Sequence, residues 1–147
     1  MVAAMTAPAA DPQGLVQGMM NTLGIRLLRA SADEVVIEWE AGPQHSQPMG
    51  IVHGGMHCTA IETACSIGAT ISARERDPKL GAVGLENHTS FIRAVRTGKL
   101  TATAIPVTRG RTTQVWECTV RDEQQRTIAT GRVRLLCVER EGMVQPG

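Results

Sequence analysis

Between Glu40 and Arg74 the only Asp, Glu, Lys or Arg is Glu62. It stands in GGMHCTAIETACSIGATISAR, the stretch from Gly54 to Arg74, which lacks proline and is made mostly of small and apolar residues. A lone carboxylate in such surroundings is costly to bury, because desolvation disfavours its charged form, so it is either paired or used. Used, it is a nucleophile or a general base whose proton affinity an apolar pocket adjusts. The structural reading places Glu62 on a solvent-facing stripe, or at a subunit seam opposite an arginine.

The residues before it favour chemistry. In Gly50-Ile51-Val52-His53-Gly54-Gly55 two glycines open a helix, so backbone N–H groups lie bare at its positive end with no side chain to block a ligand. Donors placed so stabilise the charge that develops on a carbonyl oxygen under attack, at roughly 3–4 kcal/mol for one donor. Glu62 follows Gly54 by eight residues, or ~12 Å of helix axis at 1.5 Å per residue. That is too far for both to reach one carbonyl from the same helix. Either the loop folds back or the two groups come from different subunits, and a shared dimer-interface site is the more economical geometry. Ser66, one helical turn beyond Glu62, can hold the carboxylate or a water, and is equally a small packing residue. His53 reads as the residue that fixes the glycine turn.

His53 and His57 have the i, i+4 spacing of a helical zinc pair, but Gly54 stands where the metalloprotease motif needs Glu and His53 precedes the helix, so no metal site is expected. Neither GxGxxG nor GxxxxGK[ST] occurs, which removes a phosphate-cradling loop.

The elements that must position these residues follow from the hydrophobic spacing. Asp11 as N-cap, Pro12 at the first helical position, and Leu15, Met19, Met20 and Leu23 at helical spacing predict a short helix over 12–23. Ile25 and Leu27, then Val35, Ile37 and Trp39, alternate about Ser31-Ala32-Asp33, which predicts a hairpin. Residues 41–52 read as loop. The stretch 54–74 reads as a helix wrapped on most sides by protein. Strands are predicted over 80–94, 99–107, 112–121 and 127–138, with connections short enough to make neighbours antiparallel. One buried helix against a run of antiparallel strands gives an α+β domain with the sheet curled round the helix.

Composition sets the outer limits. The chain has 147 residues, 42% hydrophobic and 20% charged, with a formal net charge of +1, one Phe, two Trp and no Tyr. A single globular domain spanning 12–140 is expected, with flexible tails at 1–11 and 141–147. The charge balance and the shortage of aromatic rings argue against nucleic acid, and no run of ~18 apolar residues argues for a membrane span. The first 24 residues contain no Lys or Arg and do not read as a secretory signal. Cys58, Cys65, Cys118 and Cys137 form no Cys-x-x-Cys pair and read as free thiols, which suits the cytoplasm. Free sheet edges make a homo-oligomer the default.

The sequence from about residue 13 to 138 resembles the hotdog-fold acyl-CoA thioesterases. The carrying residues are Gln47-Pro48-Met49-Gly50-Ile51-Val52-His53-Gly54-Gly55 with Glu62 nine residues after His53, then Val83-Gly84-Leu85-Glu86, Ser90-Phe91-Ile92-Arg93, Gly98-Lys99-Leu100 and Gly110-Arg111-Thr112-Thr113-Gln114-Val115-Trp116. It is most similar to the branch with 4-hydroxybenzoyl-CoA and 1,4-dihydroxy-2-naphthoyl-CoA thioesterases, where Gln, Glu and Ser stand at the positions of Gln47, Glu62 and Ser66. The resemblance implies a curved antiparallel sheet around one long helix, paired into homodimers or homotetramers with active sites at the dimer interface.

The same resemblance implies roles. The Gly54 N–H would polarise the thioester carbonyl, Glu62 of the neighbouring subunit would attack it or activate water, Gln47 would hold the thioester or the water, His53 would support the turn, and Ser66 would assist. The acyl-CoA, aromatic or medium-chain, would be the substrate, with no metal and no cofactor. CoA would run over the segments Gly84 to Arg93 and Arg109 to Thr113, so Gly84, Phe91, Arg93, Arg109, Gly110, Arg111, Thr112 and Thr113 are candidate substrate contacts, the guanidinium groups suiting phosphate oxygens. The sequence departs from the naphthoyl branch where Ser90 and Phe91 replace Asn and His, and where Asn87 and His88 replace an apolar-then-Asn pair. Other branches have Ser or Thr in place of Gly84 and Asp in place of Glu62. Two further readings fit the same fold: a non-catalytic acyl-CoA or ligand-binding protein, and an acyl-thioester dehydratase or hydratase.

Overall fold

The computed structural model describes residues 14–140. The long stretch of small residues forms helix α2, Gly54–Arg76, and its inner face, from Met56 through Ala60, Ile61, Ala64 and Ile67 to Ile71, is buried. Six strands pack round it: β1 Arg26–Ala30, β2 Val35–Ala41, β3 Leu80–Phe91, β4 Gly98–Arg109, β5 Thr113–Arg121 and β6 Thr127–Glu139. They form one sheet in the order β1-β2-β4-β5-β6-β3, and each neighbouring pair is antiparallel. The expected α+β hotdog architecture, a curled antiparallel sheet around one long helix, is thus the one observed.

Small residues on α2 let the sheet come close. Gly68 lies under the Trp116 ring, where a Cβ would overlap it. Trp116 is itself fixed, its indole N–H donating to Gln114 Oε1 at 2.8 Å while Gln114 Nε2 donates to the Ala69 carbonyl at 3.2 Å. The Gln-Val-Trp segment is therefore a sheet-to-helix latch, and with Trp39, Ile37, Ile61, Leu100, Ile128 and Leu135 it makes the centre of the core.

Two details differ from the pattern read along the chain. The first helix, α1, is only Met19–Leu23, a short segment led in by Gly18 at φ 57°. Gly14 also has a positive φ, of 63°, and a residue in that conformation cannot extend a right-handed helix, so the run expected from Pro12 is broken twice. The proposed Asp11 cap and Pro12 lie outside the described residues, as do both expected tails, 1–11 and 141–147. Within the expected loop 41–52, Pro43–His45 form a 3-10 turn.

Strand β3 forms one edge of the sheet and leaves its outer side without a strand partner among the described residues. It carries exposed Val83, Leu85 and Phe91. Its register with β6 slips between Gly84 and Glu86, a bulge that changes which side chains face α2. Gly84 faces the helix before the bulge; Asn87, Thr89 and Phe91 face it afterwards.

Candidate active site

The start of α2 is built around its cap. His53 precedes the helix in extended conformation, and its Nδ1 accepts the Gly55 N–H at 2.8 Å. An accepting Nδ1 carries no proton, which places the ring proton on Nε2. The His53 carbonyl accepts the Met56 N–H at 2.9 Å. Of the first three helical N–H groups, two are thereby used, and that of Gly54 has no partner among the described residues. The Phe91 ring lies over Gly54, 2.6 Å from where a Cβ would stand. A side chain at 54 would have to displace this ring.

The loop ahead of the cap is held at both ends. Gly50, at φ +75°, donates to the Gln47 carbonyl at 2.9 Å, and Gln47 N–H donates to the Ile51 carbonyl at 2.9 Å. Arg96 Nη1 clamps the turn from outside by donating to the carbonyls of Met49 at 3.0 Å and Gly50 at 3.2 Å. Gln47 Oε1 accepts the Met49 N–H, so its amide nitrogen is the end left to donate. Gln47, Gly54, His57, Phe91 and Arg93 line one cavity of about 360 Å³. His57 is only 4% exposed, with ring centroids 6.3 Å from Trp39 and 6.2 Å from Phe91, and burial holds its pKa down at about 4.

Glu62 sits two turns further along and faces a different hollow. Its Oε2 accepts from Asn87 Nδ2 at 3.1 Å, and its Oε1 occupies the space where a side chain at Gly84 would be. Within the chain its hydrogen-bond partner is an amide. Two adjoining cavities of about 350 and 300 Å³ share Met19, Glu62 and Thr63; the first adds Cys58, Thr59 and Asn87, the second Ser66, Ile67 and Thr70. Within one chain, then, Gln47, Gly54, Phe91 and Arg93 are gathered in one place, and Glu62, Ser66 and Gly84 in another.

The remaining predicted contacts lie elsewhere. Arg109 Nη1 donates to the Ala32 carbonyl and to Asp33 Oδ1, both at 2.7 Å, so this guanidinium already has partners on the β1–β2 turn. The turn through Gly110, Arg111 and Thr112 runs into Thr113, whose carbonyl lies 2.6 Å from where a Gly110 Cβ would be. The Arg111 carbonyl accepts from Arg76 at 3.2 Å, which puts this turn at the C-terminal end of α2. Asn87, Thr89 and Arg96 are the site residues that spacing did not single out. Among the described residues no group of three or more His, Cys, Asp or Glu side chains could hold a metal ion, and no helix is long and apolar enough to cross a membrane.

The chain has known relatives. Residues 49–129 match the thioesterase superfamily. The chain is 33% identical over 119 residues to a Mycobacterium tuberculosis protein provisionally named an esterase, covering 81% of this chain and 85% of that one. It is 32% identical to the 1,4-dihydroxy-2-naphthoyl-CoA hydrolase of Listeria monocytogenes, covering 84% and 91% of the two chains. Among solved structures, a thioesterase from Haemophilus influenzae superposes with a TM-score of 0.77 at 28% identity, covering 84% of each chain.

Proposed function

The chain belongs to the thioesterase superfamily, and from that premise we propose that it hydrolyses an acyl-CoA, with an aromatic or medium-chain acyl group, to the free acid and CoA. The observation that carries this reading is the division of labour along α2: a free N–H at Gly54 beside the donating end of Gln47, and a carboxylate at Glu62 over Gly84. The first pair is suited to a developing oxyanion and the second to attack.

The two halves meet when two copies pair. The unpartnered β3 edge carries Phe91 beside Gly54 near one end, and Gly84 and Asn87 beside Glu62 towards the other. Antiparallel pairing of two such edges about a two-fold axis lays the Phe91 end of one copy against the Gly84 end of the other. Each dimer then holds two sites, each with Gly54 and Gln47 from one chain and Glu62 and Ser66 from its partner; a homotetramer would pair two such dimers.

In the reaction, the carbonyl oxygen takes on charge facing the Gly54 N–H and the Gln47 amide. Glu62 removes a proton from water as the water oxygen adds to the acyl carbon. On collapse the C–S bond breaks, and the thiolate leaves and takes up that proton to give CoA. If the carboxylate itself adds, CoA leaves first and water then cleaves the anhydride, with the same products. Arg93, on the rim of the Gly54 cavity, and Arg111 are the arginines we assign to the CoA phosphates, with Thr112 and Thr113 along the same path; Arg109 can serve only by leaving Asp33. No metal or cofactor enters the scheme. The free thiols fit a cytoplasmic enzyme.

The test is release of free CoA from benzoyl-, phenylacetyl-, dihydroxynaphthoyl-, hexanoyl- and palmitoyl-CoA by wild type and Glu62→Ala. Turnover of at least one ester that vanishes in the variant supports the reading. Binding of CoA esters without turnover would replace it with a ligand-binding role.

A further inference from the structure

We infer that Asn87 and Thr89 are positioning residues that make the two oxygens of Glu62 unequal, anchoring Oε2 and leaving Oε1 as the oxygen that reacts; this rests on the hydrolytic role of Glu62 proposed above. Asn87 Nδ2 donates to Glu62 Oε2 at 3.1 Å and to the Cys58 carbonyl at 3.1 Å. Both contacts are on α2, so one amide nitrogen ties β3 to the carboxylate and to the helix backbone one turn before it. On the far side of the amide, Asn87 Oδ1 accepts the Thr89 hydroxyl at 2.6 Å. The hydroxyl has its place because residue 131 is glycine: Thr89 pairs with Gly131 across the sheet, and a Cβ there would lie 2.7 Å from Thr89 Oγ1.

The chain of contacts has a direction. Turning the Asn87 amide over would set its oxygen against two acceptors, the carboxylate and the Cys58 carbonyl, so these two groups select the orientation in which a donor meets Glu62. The Thr89 hydroxyl, bonded to the other end of the amide, holds it in that place. Oε1 meets no such donor and sits in the space that Gly84 leaves empty. The bulge between Gly84 and Glu86 makes this possible, because it brings Gly84, Asn87 and Thr89 to the same side of β3.

The test measures kcat and KM for CoA release, from whichever of the five esters above the wild type turns over fastest, with Asn87→Leu, Thr89→Val, Thr89→Ser and Glu62→Ala, alongside thermal melting of each. Loss of a hydrogen bond to a charged group predicts a fall in kcat of about 10- to 100-fold for Asn87→Leu, with KM within about twofold. Thr89→Val is expected to fall in the same direction, and Thr89→Ser, which keeps the hydroxyl, to retain the wild-type rate. Equal rates for the Val and Ser variants would overturn the inference, since a role in packing alone does not distinguish them through the hydroxyl. Should Asn87→Leu fail to fold, the Thr89 pair decides. An inactive Glu62→Ala with Thr89→Val at full rate sinks this inference alone, whereas an active Glu62→Ala, or a wild type that turns over none of the five esters, sinks the hydrolytic reading and this inference with it.

Discussion

His53 Nδ1 accepts the Gly55 N–H at 2.8 Å, and that bond decides which donor α2 offers to a ligand. With Gly55 and Met56 already bonded, Gly54 is the one of the first three helical residues whose N–H has no partner among the described residues. Replacing His53 by Ala removes the cap, which at other helices is worth about 0.5–2 kcal/mol. Asn, a strong N-cap, is expected to recover most of that stability. Urea denaturation of His53→Ala and His53→Asn checks both statements, and equal stability of the two would show that the ring acts through something other than the cap.

Gly84 gives Glu62 its room. A Cβ at 84 overlaps Oε1, so Gly84→Ala must push the carboxylate aside or shift β3. The expected result is a loss of kcat of at least about tenfold, since small misplacements of a reacting group cost rates of that order or more. Thermal melting should change little, because this part of β3 is exposed. A variant with wild-type kcat would mean that Oε1 does not react from where it stands.

Gly68 of α2 packs directly against the Trp116 ring of β5. Gly68→Ala adds a methyl group where the indole already is, and overpacking of this kind costs about 1–3 kcal/mol. The loss should appear in the denaturation midpoint and be partly reversed by shrinking Trp116 to Phe in the same chain.

His57 makes stability depend on pH. The folded chain keeps this buried imidazole neutral down to a pKa of about 4, while an unfolded chain takes up the proton near its ordinary value of about 6.5. Between those values the unfolded state binds more protons, so stability falls as pH is lowered through the window. The full loss, on the order of 3 kcal/mol, is reached below the folded value. Urea midpoints at pH 7 and pH 4.5 measure it, and His57→Gln should flatten the difference.

The core helix could be read closely from the sequence because its small uncharged residues and its opening glycines are local signals; α2 begins at Gly54 as expected and runs two residues further, to Arg76. The separation of Gly54 from Glu62 followed equally from the rise of a helix. The short first helix did not, since nothing local showed that Gly14 and Gly18 would take positive φ. The contact of Asn87 with Glu62 was not legible for a related reason. Strict alternation from Gly84 would turn Glu86 and His88 toward α2, and only the bulge reverses that, through pairing with β6 that lies far away in sequence. Likewise the Arg109–Asp33 pair depends on the β1–β2 turn meeting the end of β4, a contact between residues 76 positions apart.

The central claim is that one active site draws Gly54 and Gln47 from one chain and Glu62 from its partner. Co-expressing Glu62→Ala and Gln47→Ala chains with different tags, and purifying the mixed dimers through both, tests it directly. If the halves come from different chains, each mixed dimer keeps one intact site of two and releases CoA at about half the wild-type rate, well above either parent. If both halves belong to the same chain, no site in the mixed dimer is intact, and a rate no higher than that of the parent variants would contradict the account.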